Sequence, residues 1–387
     1  MNWNPFRKRA SIPLTMTEER RPGHRLEFIP SQDTRAAIDE LSEVVRNNSE
    51  VVEIYLALGS LYRSQGEIER AIQIRNNLIV RPGLDETFKA RAYFELGRDF
   101  RRAGFLDRSA HALQKARELG GDRQAILQEE AKLAAQAGDN ERAARLYADL
   151  DFPPAQAHYL VIQAREARLS GEGNTSEKRL RQALRAYPGS VEAWLEQLIQ
   201  NHDGGEPERL GRTLTGALDA VDKDLRFVLL EGLINHAEMR RQCGSAHPHP
   251  TECDTHQTEI INFISDDQLQ SQIVPALERR TEPLLTYYGA RLLLMCEYTS
   301  MAQAWLERSL EVEPDFWLAR LELFHLSRND QPLTPFFEEQ LTFFVDRARN
   351  IKRFVCKRCG LRRDSLFFVC PRCQNWHSIT FRIQITQ

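Results

Sequence analysis

From about residue 34 the chain sets apolar positions three and four apart, and this helical pattern then recurs in a fixed register. Gly59 is followed by Gly66 and Ala71, Gly97 by Gly104 and Ser109, Ala131 by Gly138 and Ala143, and Ala164 by Gly171 and Ser176. The offsets are +7 and +12 in every set, and successive sets lie 33 to 38 residues apart. Large side chains occupy the positions between, such as Tyr55, Leu58 and Tyr62, then Tyr93, Leu96 and Phe100. Small residues twelve apart predict two helices that cross at short range. The middle glycine predicts the turn between them, where a positive φ costs glycine little. Pro82 and Pro188 predict where second helices stop.

This register is that of a tetratricopeptide repeat. The predicted fold is all-α: a solenoid of helix–turn–helix repeats over residues 34–349, less regular over 190–280. Thr34 to Asn48 reads as a second helix without a clear first one, so the opening repeat is expected to be incomplete. Trp194 and Gly205 fall where a fifth repeat places an aromatic and a turn. Leu225–Arg240 and Glu259–Arg279 read as helices. The Cys/His-containing stretch 243–256 between them reads as a polar loop, with a second metal site as its alternative. Ala290 and Ala302 restore the +12 offset, followed by Leu306 and Pro314, and a last helical pair runs from Phe316 to Arg349. Trp305 and Trp317 read as core. Such a stack presents a long concave surface suited to an extended peptide or a helix, and its last repeat needs cover.

The chain then reads Cys356-Lys357-Arg358-Cys359-Gly360, nine residues, and Cys370-Pro371-Arg372-Cys373. Two C-x2-C turns at this distance can aim four thiolates at one ion. Cys356, Cys359, Cys370 and Cys373 are therefore the predicted ligands of one zinc ion, with iron as the alternative, in a small rubredoxin-like domain over 350–387. Four protein thiolates close the coordination sphere, which predicts a structural site rather than a catalytic one. Leu361 to Val369 is long enough for a small hairpin.

Composition narrows the class. A net charge of −3 argues against a polyanion binder by bulk charge. No apolar run approaches 18 residues, so no transmembrane helix is expected, and Met1 to Pro30 has no secretory core. Residues 1–33 read as a flexible basic arm, with Arg20, Arg21 and Arg25 able to touch an anionic surface. Seven cysteines, four of them in the paired turns, suit a reducing compartment, so the cytoplasm is the expected location. The C-terminal segment interleaves Arg347, Arg349, Lys352, Arg353, Lys357, Arg358, Arg362, Arg363, Arg372 and Arg382 with Phe354, Phe367, Phe368, Trp376 and Phe381. These aromatics read first as the core of so small a domain, and second as a nucleic-acid surface. Carboxylates along the helix faces read as solvated. With no P-loop, nucleophile elbow, H-E-x-x-H or Rossmann fingerprint, the expectation is a non-enzymatic binding protein.

Three stretches carry a family resemblance. Leu58-Gly59-Ser60-Leu61-Tyr62-Arg63-Ser64-Gln65-Gly66-Glu67-Ile68-Glu69-Arg70-Ala71-Ile72 is one. Leu96-Gly97-Arg98-Asp99-Phe100 with Ala103-Gly104 and Asp107-Arg108 is the second. Cys356, Cys359, Gly360, Cys370, Pro371, Cys373, Trp376, Ser378 and Ile379 form the third. Together they resemble the lipopolysaccharide assembly protein B family, closely over 34–150 and 350–380 and loosely over 190–280. The resemblance implies an adaptor at the cytoplasmic face of the inner membrane that helps an FtsH-type protease degrade LpxC, a lipid A biosynthetic enzyme. It also implies that repeats and metal knuckle pack together. The family opens with an anchor helix that Met1 to Pro30 does not show, so peripheral contact with the anionic membrane surface is expected here. A soluble tetratricopeptide scaffold for another client, and a nucleic-acid-binding zinc ribbon, are the alternatives.

Overall fold

The computed structural model describes residues 36–38, 40–41, 52–204, 207–244, 273–327, 334–349 and 353–381. The expected N-terminal arm, most of the incomplete first repeat and the Cys/His loop from 245 onward lie outside them.

The described chain is an all-α tetratricopeptide solenoid with a small four-cysteine knuckle behind it. Helices follow one another as antiparallel pairs. The first two pairs are α1 (Val52–Gln65) with α2 (Ile68–Ile79) and α3 (Glu86–Arg102) with α4 (Leu106–Glu118). The next two are α5 (Arg123–Gln136) with α6 (Asn140–Asp149) and α7 (Pro153–Leu169) with α8 (Gly173–Ala186). The less regular stretch forms α9 (Val191–Asp203) with α10 (Pro207–Ala220), then α11 (Arg226–Gly244) and the short α12 (Val274–Glu278). The register returns with α13 (Pro283–Met295) and α14 (Thr299–Val312), followed by α15 (Trp317–Ser327) and α16 (Pro335–Arg349). No helix among the described residues is long and apolar enough to cross a membrane.

The small residues sit where the register requires. Ala71, Ala131, Ala143 and Ala164 are fully buried between paired helices. A Cβ placed on Gly97 would stand 2.9 Å from the Leu113 side chain, closer than carbon atoms tolerate. Two crossings carry serine instead of alanine, and there the hydroxyl is satisfied locally. Ser109 donates to the Gly97 carbonyl and Ser176 to the Ala164 carbonyl, each at 2.7 Å. Gly66, Gly104, Gly138 and Gly171 all take φ between 77° and 87°. The pair α13–α14 keeps this turn without a glycine: Glu297, seven residues after Ala290, has φ 66° and is exposed.

Carboxylates do not behave as their surface reading anticipated. Glu95, Glu129, Glu196 and Glu231 are buried, the most open of them 6% exposed. They recur every 33 to 35 residues on the first helix of successive repeats, with Gln163 holding the intervening place. Each stands at the seam with a neighbouring repeat, where an arginine meets it. Arg63 of α1 reaches Glu95 and Asp99 of α3 at 2.7 Å each. Arg101 of α3 reaches Glu129 of α5 at 3.1 Å. Arg165 and Arg168 of α7 reach Glu196 of α9 at 2.7 and 3.0 Å. Arg291 of α13 lies 3.5 Å from Glu231 of α11. Desolvation makes each carboxylate costly alone, so the arginine is what permits burial. In the first rung, burial opposes the charge on Glu95, yet Arg63, Arg98 and Arg75 outweigh it and hold the carboxyl at about 2.

Two outcomes follow from these features. A depressed folded-state value stabilises the fold above the ordinary carboxylate range, and that stability is lost as pH falls toward 2. Glu95→Gln should therefore cost about 3 kcal/mol near pH 7. Chemical denaturation from pH 7 downward should show its gap from the parent closing below about pH 4.5. Glu297→Gly should instead stabilise by about 0.5–1 kcal/mol, because glycine relieves the left-handed backbone, and thermal unfolding should rise by a degree or two.

A four-cysteine ribbon docked on the helical array

Three short strands organise the C-terminal module: β1 (Phe354–Cys356), β2 (Arg362–Arg363) and β3 (Ile379–Phe381), in the order β2-β1-β3. Both pairings are antiparallel, with Phe354 opposite Arg363 on one side and Phe381 on the other. The hairpin anticipated within Leu361–Val369 is placed differently. The first C-x2-C turn is itself the hairpin loop, and the arm supplies only its returning strand. Gly360 donates to the Cys356 carbonyl at 2.9 Å and takes φ 68°. Gln374 repeats the arrangement four residues after Cys370, donating to its carbonyl at 2.8 Å with φ 54°. The two turns are thus alike in backbone although only one contains glycine.

The turns bring the four sulfurs together, all within 4.8 Å of one another. Cys356 Sγ lies 3.7 Å from Cys373 Sγ, and Cys359 Sγ lies 3.6 Å from Cys370 Sγ. A tetrahedron of metal–sulfur bonds near 2.3 Å would set the sulfurs about 3.8 Å apart, so the spacing suits a metal ion. The sulfurs differ in their surroundings. Burial opposes the Cys356 thiolate, but the Ser378 hydroxyl and the Cys359 and Arg358 N–H groups outweigh it and bring the thiol down to about 6. Burial, joined by the crowding of Cys370, Cys356 and Cys359, pushes Cys373 up to about 12 against the Asn375 N–H. A cation among the sulfurs would relieve that crowding.

The ribbon lies against the array through two aromatic contacts. Its core rings Phe354 and Phe381 are buried in a hydrophobic core shared with the helices. Phe354 stacks on Phe227 at 6.4 Å between centroids, and Phe381 meets Phe227, Tyr288 and Phe316 edge-on at 6.0 to 6.2 Å. At least 68 residues earlier along the helices, Trp376 enters a second cluster. Tyr147, Phe152, His158 and Tyr159 all present near-perpendicular rings to it at 5.1 to 6.3 Å. Glu192 holds His158 from the next repeat, with Oε2 2.6 Å from Nδ1. His377 stacks on Tyr187 at 5.6 Å, and Lys357 pairs with Asp224 at 2.7 Å. Phe152, Phe227 and Phe316 stand where first helices begin, and Tyr187 closes α8 three residues before Ser190 caps α9. The ribbon therefore runs along one edge of the array, across the starts of α7, α9, α11 and α15. The aromatics that sequence alone could have assigned to bases are engaged in this packing.

The four cysteines are the residues anticipated from spacing, and they do converge. The receiving side was not anticipated. Tyr147 sits on second helix α6, Phe152 caps α7, and His158 and Tyr159 lie inside α7.

A tetratricopeptide repeat family model matches residues 30–76. Lipopolysaccharide assembly protein B of Escherichia coli (strain K12) is 21% identical over 368 residues, covering 91% of this chain and 86% of that protein. The chain resembles lipopolysaccharide assembly protein B. The same-named protein of Haemophilus influenzae (strain ATCC 51907 / DSM 11121 / KW20 / Rd) is 23% identical over 373 residues, covering 91% of this chain and 87% of its own. Among solved structures, a tetratricopeptide repeat protein from Parabacteroides merdae ATCC 43184 is 15% identical with a TM-score of 0.35, covering 71% of this chain and 98% of its own. The likeness to the lipopolysaccharide assembly proteins extends over 91% of this chain.

Trp376→Ala tests the docking directly. Losing four edge-to-face partners should cost about 2 kcal/mol. Hydrogen exchange should accelerate through β1 and β3 while α1 to α4 stay protected, and unchanged exchange in the strands would show that the tryptophan does not hold the ribbon.

Proposed function

We propose that this protein is a non-enzymatic adaptor of lipopolysaccharide assembly. Its array, residues 34–349, gathers protein clients, and its ribbon, residues 350–387, carries one structural zinc ion on Cys356, Cys359, Cys370 and Cys373. The arm over 1–33 supplies a basic approach to the anionic inner-membrane surface from the cytoplasm. The clients are an FtsH-type protease and LpxC, so that the adaptor sets the pace of lipid A synthesis by presenting the deacetylase for degradation.

One observation carries this reading: array and ribbon share a hydrophobic core, in a chain similar to lipopolysaccharide assembly protein B over 91% of its length. An ion held there would stiffen a surface instead of reacting, since four thiolates leave no coordination position open. The protein's own part is to orient the sulfurs through the two turns and to shield them, with Cys356 and Cys370 buried.

Cys370→Ser should lower metal content well below one ion per chain and loosen the whole edge of the array, because so small a module depends on its metal to fold. Elemental analysis with thermal unfolding reads both, and full metal retention with unchanged melting would remove the structural role. The adaptor role is tested in the cell. Crosslinked purification of the native protein should recover an FtsH-type protease and LpxC, and deleting the gene should lengthen the LpxC half-life severalfold. An unchanged half-life would overturn this choice of client.

A further inference from the structure

The arginine–carboxylate rungs described above are interrupted between α9 and α11. There the neighbouring first helices meet through His202 and Asp203, at the end of α9, and His236, in the middle of α11. His236 Nε2 lies 2.8 Å from Asp203 Oδ1, and His202 Nδ1 lies 3.3 Å from the same oxygen. The two imidazoles stand edge to face, 5.6 Å between centroids. One ligand atom from each of the three residues falls within 4.8 Å of the others. Their side chains are 14%, 25% and 17% exposed, so the group is half-sheltered yet reachable.

We propose that His202, Asp203 and His236 form a second metal site, for a divalent transition ion of the zinc class. Two imidazole nitrogens and one carboxylate oxygen are a donor set that zinc accepts, and they suit nickel and copper as well. Ligands on bonds of 2.0 to 2.1 Å would stand about 3.3 Å apart around a tetrahedral ion, near the distances already present. Asp203 divides its two oxygens between roles. Oδ2 faces the Arg168 guanidinium at 3.5 Å, which fixes the carboxylate, while Oδ1 faces both imidazoles. The donors come from two helices and lie 33 and 34 residues apart in sequence, so the repeat itself assembles them. An ion there adds positive charge at a seam where α9 and α11 meet through imidazoles, as arginine does at the other rungs. Three protein ligands leave one position to water, so this ion exchanges more readily than one held by four cysteines.

The test uses the full-length protein as purified, with its cysteine site filled, titrated with Co2+ and with Zn2+. The expected result is a further equivalent per chain, with a weak visible band typical of nitrogen and oxygen ligands and no thiolate charge-transfer band. Bound Co2+ should shift the ring-proton resonances of His202 and His236 in the unaltered protein. His236→Gln and Asp203→Asn should each weaken that equivalent by more than about tenfold while leaving the cysteine-bound ion in place. Saturation without a further equivalent would overturn the proposal. So would a further equivalent that both variants retain, or one that shifts other histidines instead. The paramagnetic shifts need no variant, so a substitution that misfolds leaves the question decidable.

Discussion

A module as small as residues 353–381 cannot bury enough apolar surface to stand alone, and the molecule's C-terminal architecture depends on how that shortfall is met. The ribbon has two supports. Its cysteines converge inside, at a spacing that a metal ion would complete. Its rings, Phe354 and Phe381 at one end and Trp376 at the other, are completed outside by rings from the array. The dependence runs both ways. Phe227 belongs to the stretch whose register weakens in sequence, and the ribbon's phenylalanines pack with it, Tyr288 and Phe316 in one core.

The N-terminal repeats rely on a device that recurs farther along the array. Among the described residues no ring contact or ion pair joins the ribbon to α1 to α5, and there the seams between repeats carry the buried carboxylates of Glu95 and Glu129 with their arginines. Such pairs contribute less to net stability than apolar contacts of the same size, but they are directional. An arginine that must meet a particular carboxylate 28 to 36 residues away fixes one stacking of the repeats over a neighbouring slip.

Much of this was legible in the chain. The +7 and +12 offsets located the crossings and turns because close approach and positive φ admit few residue types. The cysteine turns were legible for the same reason: few sequences can aim four sulfurs at one point. What escaped was set by partners distant in sequence. Glu95 looks like any helical glutamate until Arg63 and Arg98 are seen around it. Tyr147, Phe152 and Tyr159 look like ordinary repeat aromatics until Trp376 arrives from more than two hundred residues away. Gln374 and Glu297 occupy left-handed turns that glycine would have announced. The 34-residue recurrence of the buried glutamates was present in the sequence, but it becomes meaningful only beside the recurrence of arginine.

The course of the ribbon along one edge also divides the array mechanically. A solenoid of stacked pairs behaves as a spring, bending by small rotations at every seam. At the starts of α7, α9, α11 and α15 the array is tied to one strap, so rotation at those seams would have to stretch or detach it. Among the described residues the starts of α1, α3 and α5 carry no such ring contact. The molecule is thus a compliant segment joined to a braced one: a client gripped near the beginning can be accommodated by flexing, whereas one bound farther along meets a surface whose curvature is already set.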